Sequence, residues 1–254
     1  MKSSQSGNAL LLVLIAVALF AALTTAMVGY NKRGKGLDVE KARIEAAELL
    51  NYAHLVENTV NRLMTVKNCN DTEISFNHDM DGDGVYVDSD DINDNALAPT
   101  SLHCHVFHPN GGNLMHVKYA DQKYAFNNSG TGEEYFNFWP VTIQNVGNDN
   151  RNSLVMLAKG VDDNLCAVLN KEMDIDQTAG DVPDDPFGSV ESATTYNTFN
   201  GDYHDDSLAS SPNAIGDEDS GILKGKPAGC TCDTAAYSGS VCSKNIFYYT
   251  VLVR

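Results

Sequence analysis

The sequence predicts an α+β fold: an N-terminal transmembrane helix that continues into an amphipathic helix packed on an antiparallel β-sheet domain, with a long acidic insertion. Three observations support this prediction. They are a nearly unbroken apolar run over Ala9 to Val28, an apolar heptad stripe over 37–67, and short β-rich runs after Cys69. The expected divisions are a polar leader at 1–7, a transmembrane helix at 8–30, a juxtamembrane joint and amphipathic helix at 31–67, and an extracytoplasmic β-rich domain at 68–254, with the acidic insertion at 172–223.

The apolar run favours a permanent membrane anchor. At about 1.5 Å of rise per residue, a helix over Ala9 to Val28 matches the ~30 Å hydrocarbon core of a bilayer. A cleaved signal peptide more often has an apolar core of about 7–15 residues. The small residues Thr24, Thr25 and Ala26 leave signal cleavage open as an alternative, with Met27 as the first residue of the mature chain.

The orientation of the anchor rests on two conflicting signals. Lys32, Arg33 and Lys35 follow the apolar run, and the positive-inside rule places such residues in the cytoplasm. All six cysteines also follow the run, and disulfides form in exported domains. Because the charge difference across the run is small, the cysteines carry more weight. We therefore expect a single-pass protein with its C-terminal domain in the periplasm or at the cell exterior.

The cysteines predict up to three disulfides, although sequence alone does not choose among the possible pairings. Chain order suggests that Cys69 pairs with Cys104. It also suggests that Cys166 pairs with one of three C-terminal cysteines. These three are Cys230, Cys232 and Cys242. Zinc binding is the competing interpretation, but a C-x-C pair without a nearby C-x-x-C is a weak zinc signal.

The segment from Leu37 to about Lys67 contains no Pro or Gly and is rich in good helix formers. Apolar residues recur in it at alternating spacings of four and three, which predicts a helix with one buried face. These residues are Ala42, Ala46, Leu49, Ala53, Val56, Val60 and Leu63. The expected partner of this face is the domain's own sheet, and the alternative is a helix of a neighbouring subunit.

Alternating and apolar runs predict the elements of the β-rich domain. Candidate strands are Glu73–Asn77, His103–Phe107, Leu114–Tyr119, Gln122–Phe126, Val141–Val146, Leu154–Ala158 and Ile246–Val253. A short helix is expected over Asp162–Met173, capped by Asp162 or Asp163. The aromatic cluster from Tyr135 to Pro140 is expected in the core or at a sheet edge, and the alternative is a carbohydrate- or partner-binding face.

The chain is strongly acidic, with 34 Asp and Glu against 17 Lys and Arg and a net charge of −17. This charge repels phosphate backbones, so nucleic acid is not an expected partner. The segment 172–223 contains 13 acidic residues and no Lys or Arg. It is expected to bury little and to form a surface insertion or a locally disordered segment.

One acidic stretch has the ligand spacing of a calcium loop. Asp79, Asp81 and Asp83 alternate and are followed by Gly84, which permits the sharp turn around the ion. Val85 would supply a backbone carbonyl, and Asp90 stands at the last position, where an EF-hand prefers Glu. The flanking residues look like strands, so we expect a calcium-binding turn between strands. An acidic hairpin turn without metal is the alternative.

The stretch HCHVFHPNGGNLMH brings four histidines close together in sequence, namely His103, His105, His108 and His116. Its first six residues resemble the copper motif of multicopper oxidases. That motif has three residues between its His-Cys-His and the next histidine, whereas only two residues separate His105 from His108 here. The other histidine pairs of that family are absent. The expectation is a plain strand entering a turn, with a weak surface zinc or copper site as the alternative. No hydrolase or phosphate-binding signature is present, so we do not expect an enzyme.

The order of these features resembles type IV pilins and the pseudopilins of type II secretion. Gly7 precedes Asn8 and a spanning helix, which leads into an amphipathic helix and a disulfide-containing β-rich domain. The resemblance implies that a prepilin peptidase cleaves after Gly7, so that Asn8 becomes the methylated N-terminus. Major pilins carry Glu at the fifth mature position, where this chain has Leu12. In lacking that Glu, the chain resembles certain minor pilins and minor pseudopilins.

The resemblance implies a structural protein of a bacterial inner membrane, whose partners are the membrane, other pilin-like subunits and prepilin peptidase. Calcium at Asp79, Asp81 and Asp83 would stabilise a loop, as in some pseudopilins. The alternative is a signal-anchored periplasmic domain that binds calcium or a partner and does not polymerise.

Overall fold

A long helix lies on one face of a four-stranded antiparallel sheet, which gives the protein an α+β fold. The computed structural model describes residues 39–77, 95–117, 136–148, 151–175, 182–183, 199–203, 214–216, 221–232 and 245–254. The leader and the predicted transmembrane helix at 8–30 lie outside these residues. None of the helices in the described part of the chain has the length and apolar character that crossing a bilayer requires.

The first described element, helix α1, covers 39–66 without interruption. Its heptad positions are all buried, which confirms the predicted buried face. Three of them, Ala42, Ala46 and Ala53, are small enough to let the helix backbone come close to the sheet. The same apolar cluster contains Phe138 and Phe247 from the strands. The partner of this face is therefore the domain's own sheet, as expected.

The sheet consists of β1 (Asn137–Val141), β2 (Ser153–Val161), β3 (Ala228–Cys232) and β4 (Asn245–Leu252). Its spatial order is β1-β2-β4-β3, and every neighbouring pair is antiparallel. Helix α2 (Asp163–Glu172) connects onward from β2. Pro140 lies in β1, where an edge position lets it omit one ladder hydrogen bond. The aromatic cluster is therefore at a sheet edge, one of its two predicted locations.

Both faces of the sheet are covered. On β2, Leu154, Met156 and Ala158 belong to the apolar cluster beneath α1, whereas Val155 and Leu157 belong to a second cluster on the opposite face. Val141 of β1 and Ile246 and Tyr248 of β4 also belong to that second cluster, and irregular segments complete it. Their buried residues are Ile143, Val146, Ile175, Ile215 and Leu223. The centre of β2 is thus a continuous apolar run, which is typical of a strand buried on both faces.

Three predicted elements are confirmed with small changes in their bounds. Leu154–Ala158 lies within β2, and the predicted terminal strand Ile246–Val253 corresponds to β4. The short helix is α2, with Asp162 as its N-cap: the Asp162 side chain accepts a hydrogen bond of 2.9 Å from the Leu165 backbone N–H.

Other predicted strands are wrong. Glu73–Asn77 and His103–Phe107 meet only through an isolated parallel bridge between Ser75 and His105. Asn68 and Leu102, which precede these segments, have positive φ angles of 54° and 58°. These turns leave each segment too short for a ladder. Residues 114–117 form no strand. The remainder of Leu114–Tyr119 and all of Gln122–Phe126 lie outside the described residues.

The prediction for Val141–Val146 is also wrong, because β1 ends at Val141 and Ile143 instead bridges to Ile215. Two strands were not predicted. β1 contains Pro140, which is uncommon within strands, and β3, with the sequence Ala-Gly-Cys-Thr-Cys, has neither alternation nor large apolar residues.

The acidic segment 172–223 was expected to bury little, but its described parts are anchored. Phe199, Tyr203 and Ile215 are buried. The Phe199 N–H donates a 2.8 Å hydrogen bond to the Phe138 carbonyl, and the Ile215 N–H donates a 3.0 Å bond to the Thr142 carbonyl. Apolar residues scattered through an acidic sequence thus attach the insertion to the sheet, which its average composition did not indicate.

Two disulfides join distant parts of the chain. Cys69 pairs with Cys104, as chain order suggested, and Cys166 pairs with Cys230, one of the three predicted candidates. Cys232 is disulfide-bonded as well. Cys242 lies outside the described residues.

The turn at 110–112 packs tightly against α1, and we expect Gly112→Ala to lower the free energy of unfolding by about 2–3 kcal/mol. An added Cβ would lie 2.2 Å from the Val106 carbonyl oxygen and 2.4 Å from Cγ2 of Thr59. The Gly112 carbonyl also accepts a hydrogen bond from the Arg62 side chain. Urea denaturation measures the loss.

The matched control is Gly221→Ala. Gly221 has a φ of 56°, but no atom lies within 4 Å of the position that an added methyl group would take there. Its substitution should cost only the strain of a left-handed residue, about 1 kcal/mol. Equal losses for the two variants would contradict the role given to close packing at Gly112.

Candidate functional site on the solvent face of the long helix

Three large apolar side chains are exposed along the outer face of α1. Ile44 is 62% exposed, Leu55 is 45% exposed and Val66 is 68% exposed. They stand at intervals of eleven residues, which is about three helical turns, so they fall on one line along the helix. We call Ile44, Leu55 and Val66 the apolar line. It lies outside the face that contacts the sheet.

The surroundings of the apolar line change along the helix. Near Ile44, exposed charges are paired within α1: Arg43 with Glu40 at 2.7 Å, and Lys41 with Glu45 at 3.4 Å. Near Leu55 the neighbours one turn away are Asn51 and Asn58, which carry no charge. Covering the helix next to Leu55 desolvates these amides, which costs less free energy than desolvating a charge, whereas Glu48 and Arg62 place charges between the three apolar residues.

The apolar line was not predicted from the sequence. The heptad pattern identifies the buried positions, and an apolar residue such as Leu55 that lies between them has no evident role in that pattern. The signal that would have found it is the spacing of eleven residues from Ile44 to Leu55 to Val66. This spacing is nearly a whole number of turns of a straight helix, so the residues remain aligned.

The predicted calcium ligands Asp79, Asp81, Asp83, Val85 and Asp90 lie outside the described residues. Their site therefore stays a prediction.

The residues that bound this acidic loop are described, and they are held together. The buried Asn95 side chain donates hydrogen bonds of 2.8 Å to the carbonyls of both Thr72 and Ile74. On the leading side, Phe76 stacks on Phe138 with ring centroids 3.9 Å apart. The described residues on the two sides of 78–94 are therefore held close to each other.

The four clustered histidines do not converge on one metal centre. His105 is buried, and its ring centroid lies 6.4 Å from that of His108. Burial lowers the pKa of His108. Among the described His, Cys, Asp and Glu residues, the one group with metal-like spacing is Cys69, His103 and Cys104. Because its two thiols form a disulfide, that group lacks the thiolates that a metal would need.

The processing residues Gly7 and Asn8 also lie outside the described residues, so cleavage between them stays a prediction. No protein-family model, curated protein or solved structure matches this chain.

Proposed function

We propose that this chain is a membrane-anchored, pilin-like structural protein, a minor pilin or pseudopilin of a type IV pilus or a type II secretion-like filament. The observation that carries the proposal is the arrangement of α1. One face of the helix packs on its own antiparallel sheet, while the apolar line remains exposed on the other face. A subunit that packs its helix against other subunits would bury these exposed apolar side chains in the contact.

The position of α1 in the chain supports the same function. The described helix begins at residue 39, shortly after the apolar run that ends near Val28. A helix in this position connects the membrane segment to the globular domain. In an assembled fibre, the apolar run and the apolar line would both contact neighbouring helices. Leu12, in place of the Glu of major pilins, favours a minor subunit over the main component of a filament.

The disulfides support an exported domain, since such bonds persist in oxidising compartments. Cys69–Cys104 and Cys166–Cys230 both lie in the globular part, on the C-terminal side of the apolar run. This supports the orientation favoured by the cysteines over the one favoured by Lys32, Arg33 and Lys35. The proposed location is the bacterial inner membrane, with the domain in the periplasm or at the cell exterior.

Maturation gives the most direct test. We expect Gly7→Leu to abolish cleavage by prepilin peptidase, because the resemblance places the cleaved bond directly after a glycine without a side chain. Mass spectrometry of the mature N-terminus should report methylated Asn8 for the natural chain and intact Met1 for the variant.

Ser6→Ala is the matched control, since it changes the neighbouring residue while keeping Gly7. It should be processed normally. A mature chain starting at Met27 would instead indicate ordinary signal cleavage, and intact Met1 in the natural chain would indicate a simple anchor. Either result would overturn the pilin-like proposal.

A signal-anchored periplasmic domain that binds calcium and does not polymerise is the second candidate. The contacts of Asn95 favour it, because a loop whose ends are held together loses less conformational entropy when it binds an ion. Calorimetric titration with calcium tests the loop directly. Absence of heat and of thermal stabilisation at millimolar calcium would exclude this site, whereas the maturation test would be unaffected.

A further inference from the structure

Three side chains from two distant elements meet where the middle of α1 crosses β4. The Tyr249 hydroxyl lies 2.9 Å from Nδ1 of His54 and donates a 2.5 Å hydrogen bond to Oε2 of Glu57. The His54 and Glu57 atoms are 3.5 Å apart. One nitrogen and two oxygens therefore form a small triangle. We call His54, Glu57 and Tyr249 the tyrosine triangle.

We propose that the tyrosine triangle is a binding site for a Lewis-acidic transition-metal ion, with Cu²⁺ as the best match. The site joins α1 to the last strand, and it goes beyond the structural role proposed for the chain.

The spacing of the three donor atoms fits one metal ion. With metal–ligand bonds of about 2.0–2.1 Å, donors on a common metal lie about 2.9 Å apart at right angles and about 3.4 Å apart in a tetrahedron. The three distances between donor atoms in the triangle are 2.5, 2.9 and 3.5 Å, a range that includes both of these values. Small side-chain rotations suffice to seat an ion, because His54 and Glu57 stand one turn apart on a rigid helix.

The chemistry of the donors selects the ion. Imidazole, carboxylate and phenolate form a mixed N,O set of the kind that suits Cu²⁺, which also binds most tightly in the series of divalent first-row metals. Calcium and magnesium prefer all-oxygen sites with more ligands than the triangle offers. The side chains of His54 and Glu57 are 59% and 36% exposed, which leaves the outward coordination positions open to water.

The protons of the triangle must be displaced for the metal to bind. Desolvation, together with the neighbouring Glu57 carboxylate, raises the pKa of Tyr249, so the phenol proton is held between two oxygens in the metal-free protein. Metal binding releases that proton to solvent. Because one proton leaves for each ion bound, the affinity should rise about tenfold per pH unit.

Titration of the full-length protein in detergent with CuCl₂ tests the site. We expect one ion per chain to produce a visible phenolate-to-copper charge-transfer band, with an affinity that is higher at pH 8 than at pH 7 by about tenfold. The band should disappear when a chelator removes the metal. Tyr249→Phe should abolish the band and reduce the affinity more than tenfold.

Glu57→Gln provides a second variant, and because Gln has nearly the shape of Glu and the side chain is partly exposed, it should retain the fold even if Tyr249→Phe does not. It should weaken binding and shift the band. His108→Asn is the control for copper held by histidines elsewhere, and it should change neither band nor affinity. Absence of the band in the natural chain, or full binding by Glu57→Gln, would overturn the proposal.

Discussion

Removal of the Cys166–Cys230 disulfide, by the double substitution Cys166→Ala/Cys230→Ala, should lower the free energy of unfolding by about 4 kcal/mol. The bond closes a loop with a sequence separation of 64 residues, which contains the whole acidic insertion. Without the bond, the unfolded chain gains the conformational freedom of that loop. A loss of this size is a large share of the stability of an ordinary domain, about 5–15 kcal/mol.

The same disulfide has a local role, because it attaches α2 to β3. Both sulfur-bearing residues are fully buried, and among the described strands β3 stands at the edge of the sheet with β4 as its one neighbour. In the double variant we therefore expect backbone amides of β3 to exchange with solvent faster than those of β2, which lies between two strands.

Urea denaturation and amide hydrogen exchange measure the two effects. Replacing both cysteines leaves no unpaired thiol to attack the remaining bridges. The control is Cys69→Ala/Cys104→Ala, which opens a loop with a sequence separation of 35 residues just after the C-terminal end of α1. It should cost nearly as much stability but should leave the relative protection of β3 unchanged. A loss below about 1 kcal/mol for the Cys166–Cys230 variant would contradict the loop-entropy argument.

Much of the fold could be predicted because its principal elements carry local patterns. The heptad stripe of α1, the apolar run in β2 and the apolar and aromatic run in β4 each reflect burial by the whole fold. The strands that were missed lack such patterns. Pro140 is acceptable only because β1 is an edge strand, and Cys230 is held in β3 by contacts with α2 that no local rule describes.

The functional surfaces were harder to predict for a similar reason. The apolar line leaves a signal in the sequence, but its meaning depends on knowing which face of α1 the sheet covers. The tyrosine triangle leaves no signal, because Tyr249 is 195 positions from His54 in the chain. Only the packing of β4 beneath α1 brings the phenol, the imidazole and the carboxylate together.

The side chain of Asn170 completes the edge of the sheet, and its replacement gives the second large expected effect. Its Nδ2 donates a 2.8 Å hydrogen bond to the Cys230 carbonyl, and its Oδ1 accepts a 2.7 Å bond from the Cys230 N–H. The amide thus occupies the place of a peptide group in a further strand. Asn170 is fully buried, so neither group of Cys230 has water as an alternative partner.

Asn170→Asp should lower the free energy of unfolding by about 4 kcal/mol at pH 7. An ionised carboxylate could accept from the Cys230 N–H but would face the Cys230 carbonyl without a proton to donate. The folded protein therefore favours the protonated acid, which raises the folded-state pKa of this carboxyl above the unfolded value of about 3.9. Protonating an ordinary Asp costs about 1.4 kcal/mol for each unit by which the pH exceeds its pKa. Since pH 7 is about three units above 3.9, the expected loss of unfolding free energy is about 4 kcal/mol.

The pH dependence distinguishes this mechanism from simple loss of packing. Because the folded pKa is raised, the destabilisation is present above the unfolded pKa and disappears as the pH falls toward 4. A protonated Asp has nearly the shape of Asn and can both donate to the Cys230 carbonyl and accept from its N–H. Asn170→Leu, which has no titrating group, should show a deficit that does not vary with pH. Urea denaturation of both variants and the natural chain between pH 4 and 7 makes the comparison. If the unfolding free energies of Asn170→Asp and the natural chain change in parallel with pH, the carboxyl does not face the Cys230 carbonyl.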